Sequence, residues 1–256
     1  MKKKLVFITG GSKGIGFELV KEFLRKDFYV INFSRSKIPL THENCKHVNC
    51  DLSETDAHKF FESELNSAIL QSGSTIDEWI LINNAGVLDP VLPVAKLSDK
   101  KAISDHFTIN TITPIKFSVV FIAALKLMKS KKMIINVGSG ATNQPIEGWA
   151  LYGSSKAALH YFTATAALEQ SRENYPVKII LFDPGNTDTN MQAIIRSTEK
   201  TNFPLVENFQ QAFEKGTLND PSKLAEKLVL KIINDTLKQG EIVSHKDLLK
   251  FKNSKF

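Results

Sequence analysis

The chain has 256 residues, 42% of them hydrophobic and 23% charged, with a formal net charge of +6. That suffices for one sizeable core of ordinary soluble composition. Lysines cluster at Met1 to Lys4, at Lys129 to Lys132 and from Lys246 to Phe256, but no exposed aromatics are interleaved with them, which argues against nucleic-acid binding.

The opening Met1-Lys2-Lys3-Lys4 has the charge of a secretory leader. The apolar run behind it, Leu5 to Ile8, is too short for one and ends in Thr9-Gly10-Gly11. It reads instead as a first strand. A glycine-rich turn, Gly10-Gly11-Ser12-Lys13-Gly14-Ile15-Gly16, then leads into a helical pattern from Phe17 to Leu24. Strand, glycine turn and helix form half of a dinucleotide-binding unit. The glycines let the backbone turn tightly and approach a pyrophosphate, whose charge suits a helix N-terminus. Many glycine turns are only turns; the position between strand and helix favours the cofactor.

A second strand, Tyr29 to Phe33, ends at Ser34-Arg35-Ser36, where an NAD-binding chain would place an acid for the ribose hydroxyls. Arg35 instead offers charge and forked donors suited to a 2′-phosphate, and Lys13 adds a second cation. Either alone is a solvated surface charge; together they point to NADPH. His47 to Leu52 reads as a third strand and its loop, with Asp51 set either to cap the next helix or to meet the adenine. Cys45 and Cys50 lack partners at metal spacing and read as reduced thiols of a cytoplasmic protein; no metal site is expected. Residues 53–72 read as a helix with Phe60, Phe61, Leu65 and Ile69 on one face.

Trp79 to Ile82 is a buried-type strand, followed by Asn83-Asn84-Ala85-Gly86, small residues that let a cofactor lie close. Residues 99–128 read as one long helix carrying Asn110 and Pro114. Amid Phe107, Ile109 and Ile112, Asn110 is either a satisfied core amide or a functional kink, and its neighbours favour the former. The next strand, Met133 to Val137, delivers Ser139 to the carboxyl end, where ligands gather in open parallel sheets. Tyr152 and Lys156 then stand one turn apart at the head of an Ala-rich helix, so phenol and ammonium share a face. A neighbouring cation favours the phenolate and lowers a phenol that ordinarily titrates near pH ~10. A Tyr acid, a Lys that tunes it and a Ser that holds an oxygen suit proton transfer to a carbonyl oxygen. Taken alone, such a pair is more often a core aromatic above a solvated lysine.

Val177 to Phe182 reads as a sixth strand ending in Asp183-Pro184-Gly185-Asn186-Thr187-Asp188-Thr189. Residues 191–216 look less regular and are placed to cover a substrate. A helix from Pro221 to Leu237 and a last strand at Glu241 to Val243 complete the chain. No segment approaches a membrane span, and neither repeat nor linker divides the sequence. The alternation predicts a single α/β domain over 1–256: a Rossmann-type, doubly wound parallel sheet with helices on both faces.

With these landmarks in place, the chain resembles the short-chain dehydrogenase/reductase family over essentially its whole length. The resemblance rests on Thr9-Gly10 with Gly14 and Gly16, Asp51, Asn83 to Gly86, Asn110, Ser139, Tyr152 with Lys156, and Pro184-Gly185 with Thr189, in order and spacing. Within the family, Ser139-Gly140-Ala141, Gly148-Trp149 and Asp188 to Ser197 are most similar to reductases that form (S)-benzoin from benzil, and next to sepiapterin reductases.

The resemblance implies that Tyr152 protonates the carbonyl oxygen as hydride arrives from NADPH, that Ser139 hydrogen-bonds that oxygen, and that Lys156 holds the nicotinamide ribose while lowering the Tyr152 pKa. Asn110 would hold a water relaying protons to Lys156, which makes it functional. Cofactor contacts are implied at Gly10, Ser12, Lys13, Gly14, Ile15, Gly16, Arg35, Ser36, Asp51, Leu52, Asn84, Ala85, Gly86, Tyr152, Lys156, Pro184, Gly185, Thr187 and Thr189. Substrate contacts are implied at Ser139, Tyr152, Trp149 and Met191, the last two as an apolar pocket wall or, on the plain reading, as packing. Asp247, the nearest match to the substrate-anchoring acid of sepiapterin reductases, has His245 and Lys246 where aromatics would stand, which favours an aromatic or vicinal dicarbonyl over a pterin. The expectation is an NADPH-dependent reductase of a small-molecule carbonyl. Its alternatives are a sepiapterin-like or 3-oxoacyl reductase, or a non-catalytic NADPH-binding regulator. The segments 99–128 and 152–171 are implied to pair across a two-fold axis as a homodimer, with a tetramer the larger alternative.

Overall fold

The computed structural model describes residues 4–72 and 75–251, so the outermost lysines of both charged ends lie outside the described residues. Seven strands pair in parallel: β1 (Lys4–Thr9), β2 (Tyr29–Ser34), β3 (Cys45–Asn49), β4 (Glu78–Asn83), β5 (Lys131–Val137), β6 (Lys178–Asp183) and β7 (Ile242–Ser244). Their order in the sheet is β3-β2-β1-β4-β5-β6-β7. The winding reverses between β1 and β4, so the loops leaving those two strands diverge and open a crevice at their carboxyl ends.

Side chains alternate between the sheet faces, and each face has its own core. Val6 and Ile8 join one with Leu19, Val20 and Phe23 of α1 (Gly14–Arg25) and Leu224, Leu228 and Ile232 of α8 (Pro221–Ile233). Leu5 and Phe7 join the other, with Phe61 and Leu65 of α2 (Ala57–Ser72), Phe117 and Phe121 of α4 (Thr113–Leu125), and Ala166 and Ala167 of α5 (Ala150–Gln170). Phe61 and Phe117 stack with ring centroids 4.6 Å apart. Phe60, expected on the same buried face, points to solvent; Ala57, Leu65 and Ala68 carry the stripe with Phe61.

The long helix expected at 99–128 is continuous but not uniform: α3 (Lys100–Phe107) passes through a π turn, Thr108–Ile112, into α4. Pro114 has no N–H to give the carbonyl one turn back, that of Asn110, so the α-helical ladder cannot close there. By length and composition, Lys100–Leu125 is apolar enough to cross a membrane, contrary to the expectation from sequence. Here it is a core helix, with Phe117, Phe121 and Leu125 fully buried. Beneath the crevice, Asn83 donates to Asn136 at 2.8 Å and Asn136 to Thr163 at 2.8 Å, tying β4, β5 and α5 together through buried amides.

Residues 191–216 are more regular than expected. They form α6 (Asn190–Ser197) and α7 (Val206–Glu214), which pack Ile195, Phe203 and Val206 onto Trp149, Leu88 and Val91 as a third, smaller core. A final helix, α9 (His245–Lys250), was not anticipated.

Candidate active site

The crevice is a groove running from the end of β2 to the head of α5, and it gathers residues from all the loops at that end of the sheet. Lining it are Gly10, Ser12, Lys13, Gly14, Ile15, Gly16, Arg35, Ser36, Asp51, Leu52, Asn84, Ala85, Gly86, Tyr152, Lys156, Pro184, Thr189 and Met191, all named from the sequence. Ser34, Cys50, Val87, Ile109, Val137, Gly138 and Asn190 also line it and were not.

At the near end, the glycine loop is pinned from both sides. Gly11 N–H donates to Asn32 Oδ1 at 2.8 Å, and the Asn84 amide donates to the carbonyls of Thr9 and Gly10 at 2.9 and 3.2 Å. A side chain on Gly16 would collide with that same Asn84 amide and with the Gly10 carbonyl, so only glycine permits this approach. Asn32 was missed, although a polar residue inside an otherwise apolar strand is the signal for such a tie. The N-cap of α1, Lys13, makes no side-chain cap and the first turn has no acid, which leaves the leading N–H groups available to an anion. Arg35 reaches to 3.9 Å from Asp51 with its side chain 67% exposed. Burial pulls the Asp51 carboxyl up, but hydrogen bonds from Ser53 N–H (3.0 Å) and Oγ (2.7 Å), with Arg35 beside it, hold it below its ordinary range. Asp51 therefore shapes the loop; α2 begins only at Ala57 and is not capped by it.

At the far end the groups are buried. Tyr152 and Lys156 are 8% and 3% exposed, and Asn110 is fully enclosed. Lys156 Nζ donates to the Val137 carbonyl at 2.8 Å and lies 6.0 Å from the Tyr152 ring centroid. Burial lowers its pKa to about 8. Tyr152 departs from the expectation. Burial raises its pKa, the hydrogen bond with Ser139 works against that rise, Asp183 adds to it, and no downward pull from Lys156 is resolved. The expected tuning by the neighbouring cation is outweighed because the phenol is out of water and the ammonium is turned to Val137. Ser139 also accepts from Ala141 N–H at 3.2 Å, capping a short 3-10 turn.

Asn110 is a satisfied core amide that lies beside the Tyr–Lys pair, linked to α5 through Ser155. Its Oδ1 accepts from Val87 N–H at 2.8 Å, and the two hydrogens of its Nδ2 serve the Val87 carbonyl (2.8 Å) and His106 Nε2 (2.9 Å), with Ser155 Oγ a longer, shared acceptor at 3.2 Å. The point where a side chain on Gly86 would begin lies 3.3 Å from Asn110 Oδ1 and 3.5 Å from Lys156 Nζ, so glycine keeps open a space that both groups face.

Several named residues sit elsewhere than expected. Thr187 is buried and turns its hydroxyl onto the Pro184 carbonyl at 2.8 Å, so it builds the loop under the groove. Gly185 has φ +60°, and a side chain there would strike the His245 ring. It makes room for His245 and does not line the groove. Trp149 stacks on Phe203 at 5.1 Å and meets the Tyr152 ring edge-on at 5.4 Å, so it stands behind Tyr152 and not in the groove wall. Asp247 spends one carboxylate oxygen, Oδ2, on its own helix. It accepts from Ser244 N–H (3.0 Å) and Oγ (2.6 Å) in the capping box of α9.

A glycine cradle at an uncapped helix start, a groove at the switch point of a parallel sheet and a buried Tyr–Lys pair define a dinucleotide-binding oxidoreductase. Comparison with known proteins agrees. The short chain dehydrogenase family model matches residues 4–200. The benzil reductase ((S)-benzoin forming) of Bacillus subtilis is 35% identical over 96% of this chain and 100% of that protein. The sepiapterin reductase of Bos taurus is 28% identical over 66% of this chain and 62% of its own. A short-chain dehydrogenase/reductase structure from Saccharomyces cerevisiae covers 95% of this chain and 96% of its own, with a TM-score of 0.79 and 30% identity. The chain belongs to the short-chain dehydrogenase/reductase family and is an oxidoreductase using a nicotinamide cofactor.

Proposed function

We propose that the protein is an NADPH-dependent carbonyl reductase whose substrates are aromatic or vicinal diketones of the benzil kind. The observation that carries this reading is the meeting, in one groove, of Lys13 and Arg35 at one end with Tyr152 and Lys156 at the other. The cofactor supplies the hydride when bound. Ser139 and Tyr152 hold the carbonyl oxygen, and Tyr152, kept protonated by its burial, donates the proton. Lys156, titrating near 8, gives and takes a proton close to neutrality, and the space under Gly86 connects it to Asn110. Met191 lines the substrate side, and Trp149 backs Tyr152 from the small apolar core. Ile109, Val137, Val87 and Met191 along the groove suit an apolar diketone better than a pterin, and the Asp247 oxygen taken by Ser244 weakens the case for a pterin anchor.

Val119, Tyr161 and Leu168 are exposed apolar side chains on α4 and α5, which supports a homodimer through these helices, with a tetramer as the larger assembly. Light scattering of the purified chain reads this directly. Free Cys45 and Cys50 fit a reducing, cytoplasmic setting. The deciding experiment is NADPH oxidation with benzil, sepiapterin and a 3-oxoacyl ester, each repeated with NADH. Benzil with NADPH is expected to be fastest; no turnover of any of them, despite tight NADPH binding, contradicts the reading.

A further inference from the structure

His106 lies one helical turn before Asn110 on α3 and is 1% exposed, a buried ring that neither the glycine loop nor the Tyr–Lys pair accounts for. Its Nδ1 is 3.0 Å from the Asp89 carbonyl, and its Nε2 is 2.9 Å from Asn110 Nδ2. A carbonyl can only accept, so Nδ1 carries the proton. An amide nitrogen can only donate, so Nε2 must present its lone pair. The two contacts therefore select one neutral tautomer, and that tautomer reinforces the orientation of the Asn110 amide that Val87 also favours. With Nδ2 committed to His106 and the Val87 carbonyl, Oδ1 accepts from Val87 N–H and faces the space it shares with Lys156.

We propose that His106 is a positioning residue for the proton path: as the neutral Nδ1–H tautomer it locks the Asn110 amide with its oxygen toward Lys156. The proposal rests on the reading of Tyr152, Lys156 and Asn110 given above. Protonation of the ring would set an N–H against the amide N–H2 and release that lock. The groups facing the ring are the Asp89 carbonyl and carboxylate, Lys156 and the edge of the Tyr152 ring, 6.4 Å away. Burial holds the imidazole below its ordinary pKa, the Asp89 carbonyl opposes this, Lys156 adds to it, and the Asp89 charge opposes it. The lowered pKa and the two contacts both favour the neutral ring, and turnover gains an acid limb on acidification.

The test pairs His106→Gln with His106→Leu. Glutamine places a non-titrating oxygen where Nε2 accepts; leucine places none. With benzil and NADPH, His106→Leu should lose about tenfold in kcat, the worth of roughly one hydrogen bond, with KM for NADPH unchanged. His106→Gln should keep most of kcat and lose the acid limb. Equal damage in both variants, or an unchanged pH profile in both, overturns the proposal. Long-range proton–nitrogen correlation on the wild-type protein supplies a readout independent of turnover. It should find Nδ1 protonated and Nε2 bare, and the opposite tautomer or a charged ring at neutral pH overturns the proposal even if leucine prevents folding. A wild type that turns over no carbonyl while showing the expected tautomer contradicts the function and leaves the positioning intact.

Discussion

At the Arg35 end of the groove the charged groups stand in water; at the Tyr152 end they are enclosed. Arg35 and Asp51 face each other at 3.9 Å with side chains 67% and 38% exposed, a geometry worth about 0–1 kcal/mol and screened by salt. Lys156, with its ammonium on the Val137 carbonyl, and Asn110, with every amide atom engaged, sit where an unpaired polar group costs several times more. The difference separates two tasks. On the function proposed above, the open end selects and holds a charged ligand and tolerates change, while the closed end fixes protons and tolerates little.

The largest effect is expected from breaking the closed end. Lys156→Met should slow hydride transfer by ~10²-fold or more, read in single turnover with saturating NADPH. It also carries a stability signature. The folded pKa of Lys156, about 8, lies below its ordinary 10.5, so between those values the unfolded chain binds more protons and this group's contribution to stability rises with pH. Lys156→Met lacks that rise. Its melting temperature relative to wild type should fall from pH 8 to pH 10.5, and a constant difference contradicts the buried, destabilised ammonium.

A smaller effect is expected at the open end. Arg35→Asp should shift preference from NADPH toward NADH by about 10- to 100-fold, the range of one charged hydrogen-bond set, while kcat at saturation changes little. Measured KM values for both cofactors check this, and an unchanged preference makes Arg35 a bare surface charge. The smallest effect belongs to Asp247, outside both ends. Asp247→Asn should cost about 0.5–1 kcal/mol of stability through the α9 capping box and leave substrate KM alone. A raised KM would assign Asp247 an anchoring role through its other oxygen.

These contrasts also mark what the sequence can convey. The strands and the glycine loop are legible because their signals are local: apolar runs of strand length, then glycine, then helical spacing. The π turn at Asn110 went unread: 99–128 reads as one helix, although Pro114, four residues on, marks where a missing N–H opens the ladder. The direction of the Tyr152 pKa shift is not legible. It depends on how fully α6 and α7 and the Trp149–Phe203 stack close over the phenol, and the sequence suggested no helices there. His106 and Asp247 illustrate the same limit from two sides. A lone histidine one turn before Asn110 gives no hint of its acceptor role, and an acid near the C-terminus that matches a ligand anchor turns one oxygen to Ser244 at the start of α9.

Tyr152, as the proton donor of a cofactor site that does not need it for binding, is the residue whose loss is most telling. The measurement is single-turnover reduction of benzil by pre-bound NADPH in Tyr152→Phe beside wild type, with NADPH affinity taken from fluorescence in the same samples. The expected result is NADPH affinity within about threefold of wild type and a rate lower by ~10²–10⁴-fold. A near-normal rate with bound NADPH would contradict the assignment of Tyr152 and, with it, the division of labour between the two ends of the groove.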